Sequence, residues 1–354
     1  MRKKISWAVP LIEEEERNAV RETMNSEWIS GTNPFTDDFE RIFASKVQSK
    51  YAVAVCNGTA GLILGYLAIR EKLQLTVSVP SWTYIASVNT SQLFGKTSLT
   101  DSDKQSFTID PALVPATNIV MPVNIGGVPP DYDSFKGKHK FIFADSAEGI
   151  GSTYKGKPEG SQADLHMFSL HATKIITSGE GGMLTTNDRE LYERLKALNN
   201  QGYSIGRNPS DYNHGSIGYN FRMPSLQAAI GMEQLKKLQR FIRHRKEIAK
   251  IYHEYLDGFV DYQEFPKYGT SPFFLFTILV KPEEKMSVIK ACVLNNIQVK
   301  SWKPVHLQPP YVRYKLSLPN AEWLYKRNIH LPIHNKLTEE EAMDVAEVIQ
   351  KVLK

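Results

Sequence analysis

Tyr51-Ala52-Val53-Ala54-Val55, followed at once by Cys56-Asn57-Gly58-Thr59-Ala60-Gly61 and then by Leu62-Ile63-Leu64-Gly65-Tyr66-Leu67-Ala68-Ile69, decides the fold. The first five residues carry no polar alternation, which is the pattern of a strand buried on both faces. Asn-Gly-Thr is turn chemistry, and the almost unbroken apolar run after it predicts a helix buried on most sides. Strand, turn and buried helix open an α/β unit. Further short apolar runs at Val77 to Val79, Ile119 to Val123 and Lys140 to Ala144 are separated by helical or turn-rich stretches. This alternation predicts an α/β fold with a mainly parallel sheet covered on both faces. Upstream, Phe39 to Gln48 reads as a short amphipathic helix leading into the first strand.

Downstream, a helical pattern runs from about Pro224 through Leu256, with Leu226, Ala229, Ile230, Met232, Leu235, Leu238, Ile242 and Ile248 forming an apolar stripe. It reads as a connector between a large domain over 1–240 and a smaller α+β domain over 241–354. In the smaller part, Phe273 to Val280 predicts a strand and Lys285 to Asn295 a helix. Thr338 to Leu353 predicts a terminal helix, with Thr338 as N-cap and Glu341 in the capping-box place.

Length and composition narrow the function. The 354 residues, 42% hydrophobic and 23% charged, describe an ordinary globular chain large enough for two cores. A net charge of +5 without a basic run argues for anionic small molecules and against nucleic acid. Cys56 and Cys292 stand alone, so neither a disulfide framework nor a zinc site is indicated, and a reducing cytoplasm fits. The basic Met1 to Lys4 is followed by Glu13 to Glu16 before any long apolar stretch, which argues against export and against a membrane span.

Four places along the chain carry chemistry. Lys174 lies among Phe168, Leu170, Ile175 and Ile176 and ahead of the turn Thr177-Ser178-Gly179-Glu180-Gly181-Gly182. Such flanks predict burial, and a buried lysine can supply the neutral amine that attacks a carbonyl; taken alone, the same residue can also be a lysine with its head in solvent. Asn57-Gly58-Thr59-Ala60, at a strand-to-helix turn, can hold a phosphate on helix N–H groups or merely cap the helix. Phe143-Ala144-Asp145-Ser146-Ala147-Glu148 ends a strand in two carboxylates, and a strand-end aspartate can stabilise a protonated ring nitrogen or cap the next turn. Pro80-Ser81-Trp82-Thr83-Tyr84 places two aromatics at a strand end, where one can stack on a flat ring or both can be core. Phosphate cup, aromatic, aspartate and lysine, in this order, are the parts of a pyridoxal phosphate site.

With those residues in view, the chain resembles the DegT/StrS-type nucleotide-sugar aminotransferases, which are fold type I pyridoxal phosphate enzymes. The resemblance runs from Glu27-Trp28-Ile29-Ser30-Gly31 through the four motifs, and through Gly179-Glu180-Gly181-Gly182-Met183, to Gly218-Tyr219-Asn220-Phe221-Arg222-Met223 and Leu226-Gln227-Ala228-Ala229-Ile230-Gly231. It implies that Lys174 bonds to the cofactor and shuttles the proton. It implies Asp145 at the pyridine nitrogen, Glu148 near the ring hydroxyl and Tyr84 stacked on the ring. Gly58, Thr59 and Ser169 would bind the phosphate, with Asn220 reaching it from the other subunit of a homodimer. A lysine rather than a histidine at 174 implies transamination rather than dehydration.

The overall pattern, including Trp302-Lys303-Pro304-Val305-His306-Leu307-Gln308-Pro309-Pro310-Tyr311, looks most like that of perosamine- and viosamine-forming enzymes, which implies His306 near the sugar; the same residue can equally be a structural histidine. The implied reaction aminates C4 of a GDP- or dTDP-linked 4-keto-6-deoxyhexose, with glutamate as donor and pyridoxamine phosphate as the form that carries the amino group. Such a product would enter an O-antigen or another surface polysaccharide. Amination at C3 of a 3-keto sugar and a non-catalytic cofactor-binding protein are the alternatives. The sequence departs from the pattern at Glu71 to Thr76, expected to alter a surface turn, and at Asn124-Ile125-Gly126-Gly127, expected to bear on substrate contacts.

Overall fold

The computed structural model describes residues 4–70, 75–203 and 213–354. The basic Met1 to Lys3 and Glu71 to Gln74 lie outside the described residues. In chain order the elements begin with helices α1 (Glu14–Asn25) and α2 (Pro34–Lys46), then strand β1 (Tyr51–Val55), α3 (Gly58–Arg70), β2 (Thr76–Pro80), α4 (Ile85–Phe94) and β3 (Lys96–Thr100). They continue with β4 (Ile119–Val120), β5 (Phe141–Asp145), the short β6 (Thr153–Tyr154) and β7 (Lys157–Pro158), β8 (Leu165–Ser169), β9 (Gly182–Thr186) and α5 (Arg189–Asn199). The last third holds α6 (Ser225–Leu256), β10 (Asp261–Tyr262), β11 (Gly269–Thr270), β12 (Phe276–Leu279), α7 (Lys285–Leu294), α8 (Pro319–Arg327), β13 (Asn328–Leu331) and α9 (Glu339–Leu353).

Among the described residues the large sheet has seven strands in the order β1-β9-β8-β5-β4-β2-β3. Pairings from β3 through β2, β4 and β5 to β8 are parallel; β9 runs antiparallel to both neighbours. The expected mainly parallel sheet is therefore present. Because side chains alternate along a strand, β1 feeds two cores. Val53 and Val55 pack with α3 residues such as Leu62, while Ala52 and Ala54 pack with Phe39 and Phe43 of α2 and Leu235 and Leu238 of α6. β8 and β9 divide in the same way, with Met167 and Leu184 on one face and Phe168 and Met183 on the other.

α2 starts earlier than its apolar pattern suggests, because the Asn33 side chain accepts from Thr36 N and Pro34 opens the first turn. The run at Ile119 yields only two strand residues. Its ladder with β5 nevertheless continues through Asp145 N to Pro122 O and Asn124 N to Asp145 O.

The C-terminal part packs β10, β12 and β13 against α7 and α9, and α9 carries the expected capping box between Thr338 and Glu341. The strand expected from Phe273 begins only at Phe276, since Phe273 has φ +54° and breaks the extended run. A border between 240 and 241 falls inside α6, which is one continuous helix. Its residues through Ile242 pack with the large sheet's core, and those from Ile248 onward with the C-terminal core. Ile5 also belongs to the C-terminal core and bridges Ile297. No helix of the described residues is long and apolar enough to cross a membrane.

Candidate active site

Gly58, Tyr84, Asp145, Glu148, Ser169 and Lys174 lie at or just beyond the carboxyl ends of β1, β2, β5 and β8. Lys174 lies in the loop from β8 to β9, and both flanks of that loop are pinned. Leu170, Ile175 and Ile176 are buried, and Leu170 exchanges backbone bonds with Ser178 and Gly181. This anchorage leaves the Lys174 side chain 15% exposed, its ammonium nitrogen 3.4 Å from Glu148 Oε1 and 4.3 Å from the centre of the Phe274 ring. Of the burial expected from its apolar neighbours, most but not all is present.

Asp145 closes β5 and is 4% exposed. Ser87 donates to its Oδ2 at 2.7 Å and Ala147 N to its Oδ1 at 3.1 Å. Burial pushes the Asp145 carboxyl above its ordinary value, and the Ser87 hydroxyl, the Ala147 N–H and the charge of Lys174 offset part of that. Glu148 is treated the same way: burial raises its carboxyl, while Lys174 and the Gly126 N–H, 2.9 Å from Oε2, favour the charged form.

The start of α3 supplies an anion cradle. Asn57 accepts from Ala60 N at 2.8 Å, which caps the helix, and the N–H groups of Gly58 and Thr59 have no intrahelical acceptor. A Cβ on Gly58 would meet Met167 Sδ and Ser169 Cβ, both at 3.3 Å, so the helix start lies against the Ser169 hydroxyl with only backbone between. Capping and anion binding, the two alternatives for this motif, are compatible here. Of the two aromatics after β2, Trp82 is core and stands edge-on to Phe107, whereas Tyr84 is 70% exposed at the start of α4. Asn220 is also exposed and forms a backbone bridge with Asn200.

His306, open to a sugar contact or a structural role, has the surroundings of a structural residue. It is 1% exposed, with Nδ1 2.7 Å from Ser81 Oγ and Nε2 3.4 Å from Glu322 Oε1. Burial lowers its pKa against the pull of Glu322. Both ring nitrogens are engaged, so His306 clamps the segment after β2 to the C-terminal part.

The departure at Asn124 to Gly127 is likewise buried, and its Gly126 N–H donates to Glu148. Ser87, Gly126 and Phe274, which hold Asp145, Glu148 and Lys174, carry no motif of their own. Only the Gly126-Gly127 pair gave a sequence signal.

An amine, two buried carboxylates and an anion cradle at the ends of parallel strands are the equipment of an enzyme that works on a carbonyl through a phosphorylated cofactor. Comparison with known proteins gives the class. The chain belongs to the DegT/DnrJ/EryC1/StrS aminotransferase family, which it matches over residues 10–350. It is 34% identical to the GDP-perosamine synthase of Escherichia coli O157:H7, with 97% of this chain and 96% of that protein covered. It is 33% identical to the GDP-perosamine synthase of Caulobacter vibrioides, covering 99% and 98%. A solved aminotransferase from Psychrobacter cryohalolentis superposes with a TM-score of 0.91 at 26% identity, over 99% of this chain and 98% of that one. The chain is a pyridoxal phosphate-dependent sugar aminotransferase.

The residues present fit that cofactor. The bare backbone at Gly58 beside Ser169 suits a phosphate, and Asp145 is a buried carboxylate able to face a ring N–H.

Proposed function

We propose that the chain transfers an amino group from glutamate to C4 of a GDP-linked 4-keto-6-deoxyhexose, giving a 4-amino-4,6-dideoxy sugar of the perosamine type. The observation that carries this reading is the convergence of Lys174, Glu148 and Asp145 in a chain one third identical, over nearly its whole length, to two GDP-perosamine synthases. GDP is preferred to dTDP on the strength of those two names.

In this reading the Gly58 and Thr59 N–H groups and the Ser169 hydroxyl hold the phosphate, Tyr84 covers one face of the ring and Asp145 keeps the ring nitrogen protonated. When bound, pyridoxal phosphate supplies an electron sink and carries the amino group from donor to acceptor. Lys174 moves the proton between the two carbons as general base and general acid. Glu148 and Phe274 hold its nitrogen in place, one by charge and hydrogen bond, the other by its ring face. Asn220 serves the phosphate of a second copy of the chain, and the work is done in the cytoplasm.

The test uses visible absorption of the purified protein with pyridoxal phosphate. Glutamate should bleach the band of bound cofactor, and GDP-4-keto-6-deoxyhexose should restore it faster than the dTDP-linked sugar or a 3-keto isomer. Lys174→Ala should lose ~10⁴-fold or more in turnover while keeping its circular dichroism. Restoration by the 3-keto sugar alone would move the reaction to C3, and near-normal turnover in the lysine variant would remove the mechanism.

A further inference from the structure

Arg245 lies in the middle of α6 and is 2% exposed. Among the described residues no carboxylate lies within ion-pair distance of it. Burial lowers its guanidinium to about 9, which leaves it charged at neutral pH. A buried charge without a counter-charge is costly, and an apolar side chain of the same length would fill the space at lower cost. What the guanidinium does instead is collect acceptors. Its Nη1 donates to Phe273 O at 3.1 Å, Phe274 O at 3.3 Å and Ile333 O at 2.9 Å, and its Nε donates to Asn335 Oδ1 at 3.0 Å.

Two of these contacts lead to Lys174. Phe274 is the residue whose ring lies 4.3 Å from the Lys174 nitrogen. Asn335, oriented by Arg245, donates from Nδ2 to the carbonyl of Ile175 at 2.8 Å, one residue beyond the lysine. The backbone of the lysine loop is thus tied from one side, and the surface its ammonium rests on from the other, by a single planar fork on α6. Only guanidinium has donors enough, in a fixed plane, to serve both.

We propose that Arg245, acting through Asn335, is a positioning residue for Lys174. The inference rests on Lys174 being the residue that bonds to pyridoxal phosphate. In that bond formation the amine adds to the cofactor's aldehyde carbon and one water leaves, so the rate depends on where the nitrogen is held.

Asn335→Asp separates positioning from stability. The carboxylate still accepts from Arg245 Nε, and now pairs with its charge, but it cannot donate to Ile175 O. The measurement is the rate at which the visible band grows after pyridoxal phosphate is added to cofactor-free protein, at a temperature where circular dichroism shows both proteins folded. Asn335→Asp is expected to slow that rate ~10-fold or more, since a misplacement of about 1 Å can cost ~10²-fold. Its thermal midpoint should stay within a few degrees of wild type, and in turnover kcat should fall while KM for the nucleotide sugar stays unchanged. A wild-type rate in Asn335→Asp overturns the proposal. So does a slowing that vanishes when rates are scaled to equal amounts of folded protein. A wild-type chain that never develops the band removes the underlying reading of Lys174, and this inference with it.

Discussion

Asp145 sets function against stability. Burial holds its carboxyl above the ordinary value of 3.8, so between 3.8 and the raised value the folded chain binds a proton that the unfolded chain has already lost. Stability in the cofactor-free protein therefore falls as pH rises through that window, and at neutral pH the ionised group is a burden. Asp145→Asn removes the burden and keeps an acceptor for Ala147 N. The variant should unfold at a higher temperature than wild type at pH 7, with the gap closing as pH falls below the raised value. Its turnover should drop by ~10² or more, because an amide cannot balance a ring cation. Thermal scans of the empty proteins from pH 4 to 8, alongside steady-state rates, check both halves; a lower midpoint for the variant at pH 7 would show that the carboxylate is already compensated.

The loop from Asn124 to Val128 brings one N–H to Glu148, and it does so only because its glycines accept left-handed backbone. Gly126 has φ +68°, and a Cβ there would lie 2.4 Å from Gln263 Oε1. Gln263 cannot step aside cheaply, since its amide donates to Ser106 O and Ile125 O. Gly126→Ala should therefore cost about 1–3 kcal/mol, read as a shift in the urea midpoint, and should reduce turnover by displacing the Gly126 N–H from Glu148.

What was legible in the sequence follows the same physics. β1 and α3 could be read because their pattern is dictated by two faces of burial, and α9 because its cap is local. The lysine loop could be read because its anchors flank it. The late start of β12 could not, since nothing in Phe273-Phe274-Leu275 announces a positive φ at Phe273. Arg245 was hidden for another reason: in Arg243-His244-Arg245-Lys246 it reads as one more charge on a solvated face, and only the packing of α6 shows which of the four turns inward.

For the molecule as a whole, the proposed function has two copies of the chain sharing their sites. The Ser225 hydroxyl donates to Ser30 O at 2.7 Å, and Gly31 lies against Arg222 and Met223, while Trp28 and Ile29 just upstream are half exposed or more. Large apolar side chains exposed on a surface are a feature of protein–protein contacts, and the proposed sharing of Asn220 between two copies can be tested directly. If sites are shared, Lys174→Ala and Asn220→Asp complement each other: each variant alone is nearly inactive, and an exchanged equimolar mixture should recover about a quarter of wild-type activity. Half of the pairs would then be mixed, each with one intact site. Recovery no greater than the sum of the two variants would argue for self-contained sites.

The place of Ile5 carries a consequence in time. Its partner Ile297 is nearly 300 residues later in the chain, and the two meet by backbone bonds from Ile5 N to Asn296 O and from Gln298 N to Ile5 O. At ~5–20 residues per second, Ile5 is added to the chain roughly 15–60 s before the segment it pairs with has been made. All described strands of the large sheet lie before Asn187 and can pair while translation proceeds, but the C-terminal core takes in Ile5 only once the segment around Ile297 has been made.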